Sequence, residues 1–389
     1  MFKQSYKNNI ALLGASELFS FFGITSFWLL FLSQNGMTLF QIGLLESLFH
    51  GTSLVSEVPS GMLADRFTYK TNLFLSRLST IFSSFLMLAG HGNFWIYALG
   101  MMAGAWSYNF DSGTSSAMLF ESAKEAGLEE KYLKFTSFIS GISEATRALG
   151  MVLAGLFVHG FLNITYMIQI GLSMLAILVI SLMKEPKVKV QNEVSSTFSD
   201  IFKSVITTLK VNPKLIRWML ISQTLITFTS MFYFYYQNEM VQLQSWQISL
   251  MMLASCLINI FGVWMASKIG EKWTARQVFK IIIPISAFLF LLAILANPRI
   301  YIFIFLISDG LVAMFFPIYN NDIQQEFESH IRATMLSVNA MIGSLIMIFI
   351  FPLMGMIIDY LSFSISFMYL GIFLLLVSIG CLLYTSDAA

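Results

Sequence analysis

Long apolar runs, separated by short polar stretches, set the pattern of this chain. A helix that crosses the roughly 30 Å hydrocarbon core needs about twenty mostly apolar residues. Twelve such runs fall at about 9–33, 39–64, 72–90, 94–120, 133–160, 164–183, 215–240, 247–268, 277–296, 300–322, 333–358 and 364–384. The roughly ten-residue alternation of a membrane β-barrel is missing from them. The pattern therefore predicts an all-α polytopic membrane protein with twelve transmembrane helices. The first run follows Lys3 and Lys7 but is too long for the core of a signal peptide, so it is read as an uncleaved span. The longest polar stretch, Lys184 to about Pro213, divides the spans six and six. It predicts one bundle over 1–184, a cytoplasmic linker over 185–213 and a second bundle over 214–389. Within the linker, Phe198–Leu209 has an apolar side facing away from Lys203 and Lys210, which fits either a helix lying on headgroups or a solvated linker.

Composition agrees with the pattern and excludes a soluble globule. Of 389 residues, 57% are hydrophobic and 11% charged, against about 45–50% and about 25% in soluble domains. The net charge of +1 conceals an order, because Lys and Arg cluster between alternate spans. With the N-terminus inside, 19 of the 22 basic residues fall in cytoplasmic segments. The positive-inside rule then places both termini in the cytoplasm of a bacterial-type inner membrane. Two cysteines, Cys256 and Cys381, offer no disulfide framework. The segment 381–389 resembles the translation of a common sequencing-library adapter, which implies a scar rather than native sequence.

The halves carry weak internal similarity. Asp111-Ser112-Gly113 with Ala117-Met118-Leu119-Phe120 in span four echoes Ser308-Asp309-Gly310 with Ala313-Met314-Phe315-Phe316 in span ten. Ala154-Gly155-Leu156 in span five echoes Met354-Gly355-Met356 in span eleven. Two pseudo-symmetric six-helix bundles are implied, with a substrate site near the midplane and transport by rocking around it.

Two motifs carry a family resemblance. Gly61, Asp65, Arg66 and Lys70, where span two enters the following loop, resemble the loop signature of the major facilitator superfamily, with Thr68 and Tyr69 departing from it. Gly141, Gly150 and Gly155 in span five resemble that superfamily's antiporter motif, with Met151 in place of its proline. The resemblance implies the superfamily's fold and solute transport, with a gating role for Asp65, Arg66 and Lys70; the antiporter-like motif implies a drug:proton antiporter subtype. Span four, however, carries Asp111 where drug:proton antiporters commonly have arginine.

Charges at mid-bilayer are costly enough, at least about 2.5–3.5 kcal/mol on insertion scales, that each is a functional candidate. Asp111, Asp309, Glu17 and Glu144 are the candidates for the coupling proton. Arg147 lies three residues beyond Glu144, so the two form either a structural ion pair or a cavity-facing pair that recognises an anionic group. Glu46, His50 and Glu57 form a polar stripe along one face of span two, for helix packing or for titration. Trp28, Trp106, Tyr233, Tyr236 and Gln237 are candidates for the substrate cavity, since aromatic walls suit amphiphilic or cationic molecules.

The expected function is proton-coupled efflux of amphiphilic compounds, with sodium as the other possible coupling ion. The alternative is an importer or facilitator of a small polar or anionic solute. The scattered histidines and isolated Cys256 argue against an enzyme or a metal site, and no glycine loop for ATP phosphates is present. The expected partners are a small-molecule substrate, the coupling ion and the lipid bilayer, with no cofactor and no nucleic acid, for a monomer.

Overall fold

In the computed structural model the described residues are 5–186, 213–326 and 332–386, except the side chains of 57–66, 332–334 and 380–386. The proposed surface helix at 198–209, the side chains of Glu57, Asp65 and Arg66, the surroundings of Gly61 and residues 387–389 lie outside that set. Among the described residues the regular structure is helical: α1 (Tyr6–Ser20), α2 (Trp28–Gln34), α3 (Leu39–Arg66), α4 (Tyr69–Ala89), α5 (Phe94–Asp111), α6 (Thr114–Glu125), α7 (Tyr132–Ala154) and α8 (Leu162–Leu182). The second half follows with α9 (Pro213–Glu239), α10 (Ser245–Ile269), α11 (Ala275–Leu291), α12 (Pro298–Glu326), α13 (Arg332–Leu361) and α14 (Phe363–Ser386). Each sequence-predicted span has its helix, because in lipid the backbone can satisfy its hydrogen bonds only within itself. Among the described residues seven helices are individually long and apolar enough to cross a membrane, or eight if the bent pair α1–α2 is one span.

Two spans are broken. The first bends by 41° between α1 and α2, across a short 3₁₀ turn at Gly23–Thr25. Gly23 and Gly150 pack backbone to backbone there, and a methyl at Gly150 would overlap the Gly23 main chain. The fourth span breaks after Asp111, where Gly113 takes a φ of +79° and starts α6 in a new direction. Such a φ suits glycine, which has no Cβ to clash.

The chain forms two compact units: residues 1–36 with 48–197, and residues 37–47 with 198–389. The division thus falls near the linker, but α3 begins in the second unit and ends in the first. In the first unit Leu13, Leu73, Met118, Leu119, Ile180 and Met183 form a buried apolar cluster. One end of that unit is stitched by polar contacts. Glu185 accepts from the Tyr69 and Lys70 amides at 2.8 and 3.0 Å, capping α4. Lys70 Nζ donates to the Ser181 and Met183 carbonyls at the end of α8, and Asn9 bridges Ser122 and Lys184. The Glu185 and Lys70 contacts use donors or acceptors that a helix end leaves unpaired.

The second unit is held by aromatic packing. Phe232 stacks on Phe290 and meets Phe363 and Phe367 edge-on at 5.1 and 4.8 Å. Asp322 accepts from the Ala275 amide at 2.6 Å and so caps α11.

Candidate functional site

The first unit concentrates charge where four helices meet. Arg77 of α4 is 5% exposed, and its Nη2 lies 3.0 Å from Asp111 Oδ2 at the end of α5. Arg77 Nη2 also donates to Ser76 Oγ at 2.9 Å. Ser115, in the first turn of α6, places its hydroxyl 2.7 Å from Glu17 Oε1 of α1 and 3.3 Å from Asp111 Oδ1. Asp111 and Ser115 are four residues apart, so they stay on one face across the break at Gly113. Two carboxylates and one guanidinium carry a net charge of −1 when all are ionised, so one bound proton makes the cluster neutral. A neutral cluster crosses a low-dielectric barrier far more cheaply than a charged one.

One cavity opens on this cluster, and a second is linked to it through Ser107, which hydrogen-bonds Ser76 beside Arg77. One, of about 420 Å³, has Glu17, Asp111 and Glu144 in its wall together with Ser115, Ser140 and Ser143. The other, of about 410 Å³, is walled by Ser20, Thr25, Ser26, Thr80, Ser83 and Ser107, with Trp28, Tyr166, Gln169 and Arg147. Phe21 contributes to both. Arg147 donates to Glu144 Oε2 through Nε and Nη2 at 3.0 and 2.7 Å. The pair spans one helical step, so Glu144 reaches the acidic cavity and Arg147 the hydroxyl-lined one.

The remaining sequence candidates fall elsewhere. Asp309 of α12 accepts from Ser255 and, at 2.8 Å, from Asn259, both on α10. Tyr236 is 1% exposed and packs against Tyr301 and Phe305; Tyr233 stacks on Phe305; Gln237 is buried beside them on α9. Trp106 packs on Phe110 within α5. His50 lies edge-on to Phe49, and Glu46 lies on the same helix within residues 37–47 of the second unit. Below them, Ser53 and Ser56 hydrogen-bond Asn109 of α5. Of the antiporter-like glycines, Gly150 makes the close approach to span one, Gly155 starts the 3₁₀ turn ending α7, and a methyl at Gly141 would meet open space. Lys70 is held by α8 carbonyls, and Glu57, Gly61, Asp65 and Arg66 lie on α3.

Sequence reasoning missed Arg77, Ser115, Tyr166 and Gln169. Arg77 was open to discovery, since an arginine inside an apolar run needs a counter-charge and Asp111 is an acid in the next span. The hydroxyls carry no comparable signal, because Ser and Thr are common in packed membrane helices.

The family model of the Major Facilitator Superfamily matches residues 10–352. The chain therefore belongs to the Major Facilitator Superfamily, as a multi-pass membrane transporter rather than an enzyme. A comparison with curated protein sequences gives no match. Among solved structures, a point mutant of the nucleoside transporter NupG superposes with a TM-score of 0.77 at 14% identity, covering 97% of this chain and 99% of that one. The xylose transporter XylE from E. coli, in an inward-open conformation, gives 0.64 at 13% identity, covering 95% and 93%. A bacterial homolog of the human lysosomal transporter Spinster gives 0.68 at 14%, covering 97% and 96%. These likenesses establish the fold.

Proposed function

We propose that this transporter takes up a small polyhydroxylated solute together with a proton. The observation that carries the reading is the hydroxyl-walled cavity, linked through Ser107 and Ser76 to a cluster of two acids and one arginine. Paired hydroxyls of a sugar or ribose exchange hydrogen bonds with Ser, Thr and Gln, while an indole face such as Trp28 covers the apolar side of a ring. Among similar structures, NupG is a nucleoside transporter and another is a D-xylose–proton symporter. Of the aromatic residues that suggested efflux of amphiphiles, Tyr236 is 1% exposed and Tyr233 and Trp106 are engaged in ring packing. We place the coupling proton on the Glu17–Asp111 pair and the protein in a bacterial-type inner membrane as a monomer with cytoplasmic termini. One charge moving through 100 mV gains about 2.3 kcal/mol, and one pH unit adds about 1.4 kcal/mol.

Proteoliposomes given an inward proton gradient test the reading with tritiated uridine, D-xylose and L-fucose, and with ethidium as an amphiphilic cation. Accumulation of one polyhydroxylated solute, collapsed by a protonophore and lost in Asp111→Asn, is expected. Proton-driven movement of ethidium alone would overturn it.

A further inference from the structure

The two cavities of the first unit divide their charge. Glu17, Asp111 and Glu144 lie in the wall of one, while among the described residues Arg147 is the only charged one in the wall of the other. The break in span one puts Arg147 there. A methyl on Gly23 would overlap the Arg147 carbonyl and crowd Met151, so the 3₁₀ turn of span one sits directly on this stretch of α7. The guanidinium is half-exposed. Its Nε and Nη2 serve Glu144, whereas Nη1 meets the Met151 thioether at 3.3 Å. A thioether is a weak acceptor, and a carboxylate arriving from the cavity is a far stronger one.

The hydroxyls around the guanidinium are oriented by their own bonds. Ser26 and Ser83 donate to the Gly23 and Gly100 carbonyls at 2.6 and 2.7 Å. Thr80 and Ser107 both donate to the Ser76 carbonyl, at 3.1 and 2.9 Å. A hydroxyl has one proton, so with that proton on the main chain it offers the cavity its lone pairs. Such a wall takes up donors, which are what the hydroxyls of a sugar supply. Its strongest donor toward a solute acceptor is the Arg147 guanidinium, joined by Gln169, whose Nε2 makes a loose 3.5 Å contact with Ser173.

We infer that this cavity binds a sugar acid, with Arg147 taking the carboxylate on Nη1 and the serine and threonine oxygens taking the ring hydroxyls. This rests on the uptake reading and narrows its solute class. One guanidinium matches one carboxylate, whereas a phosphate monoester carries about −1.5 to −2 and an amine has the wrong sign. Glu144 competes with the solute for the same guanidinium, which makes the pair an element of selection rather than of packing. A monoanion that enters with one proton moves no net charge, so its accumulation follows the pH gradient and not the potential, unlike that of a neutral sugar.

Equilibrium binding to full-length protein in nanodiscs tests this without any gradient. Two matched pairs serve as probes: D-glucuronate with D-glucose, and D-galacturonate with D-galactose. At least one acid is expected to bind about tenfold to a hundredfold more tightly than its neutral partner, the scale of a hydrogen bond to a charged group. Arg147→Gln should bring that ratio to about one, and Arg147→Lys should keep part of it, since an ammonium retains the charge but not the planar fork. Glu144→Gln should tighten the acid several-fold and widen the ratio, which a merely structural ion pair does not do. Equal affinities within both pairs, or a preference that survives Arg147→Gln, would overturn the sugar-acid assignment and leave uptake of neutral solutes standing. Binding of none of the four, with uridine or D-xylose still accumulated in proteoliposomes, would do the same. No binding together with no accumulation of any polyhydroxylated solute would overturn both.

Discussion

Asp111 and Asp309 hold similar places in the two sequence repeats, yet the contacts described for them differ. Asp111 faces a buried guanidinium, shares a serine with a second acid and opens on a cavity. Asp309 is held by a serine and an asparagine of the neighbouring helix. An acid becomes a candidate for coupling when its partners include a charge that must be rebalanced if a proton leaves, and a space through which proton or solute can arrive. Neutral hydrogen-bond partners on an adjacent helix serve packing equally well.

The contrast can be broken most severely at Arg77. Removing one partner of a buried ion pair costs about 3–5 kcal/mol, so Arg77→Met should lower the melting temperature sharply and abolish uptake. Preserved stability and transport would show that the pair is dispensable. The two aspartates come next. Asp111→Asn should remove proton-driven accumulation while leaving solute exchange across the membrane, whereas Asp309→Asn should leave accumulation within about threefold, since Asn keeps an acceptor for Ser255 and changes a net hydrogen-bond term of only about 1 kcal/mol. Equal loss in both variants would restore the symmetry of the two halves. A smaller effect is expected in the solute cavity, where Gln169→Ala should raise KM by about tenfold with little change in kcat, the scale of one or two lost hydrogen bonds.

The glycines extend the comparison to packing. Gly150→Ala forces a methyl into the Gly23 backbone and should cost about 1–3 kcal/mol, read as a fall in melting temperature. Gly141→Ala, in the same helix but facing open space, should be neutral or stabilising by up to about 1 kcal/mol. A motif defined by glycine spacing thus contains positions of unequal weight, and only the neighbour across the contact tells them apart.

Hydropathy alone marked the twelve apolar runs, each of which has its helix, because a bilayer leaves the backbone no other way to satisfy itself. Acids inside spans could likewise be named as candidates, since burying a charge is costly wherever the fold places it. Packing alone decided which acid gains Arg77, which bend brings Gly23 to Gly150, and that α3 starts on α13. Those outcomes depend on contacts between helices far apart in the chain, and in lipid such contacts follow from close fit and paired polar groups rather than from hydrophobicity, which is nearly the same along every span.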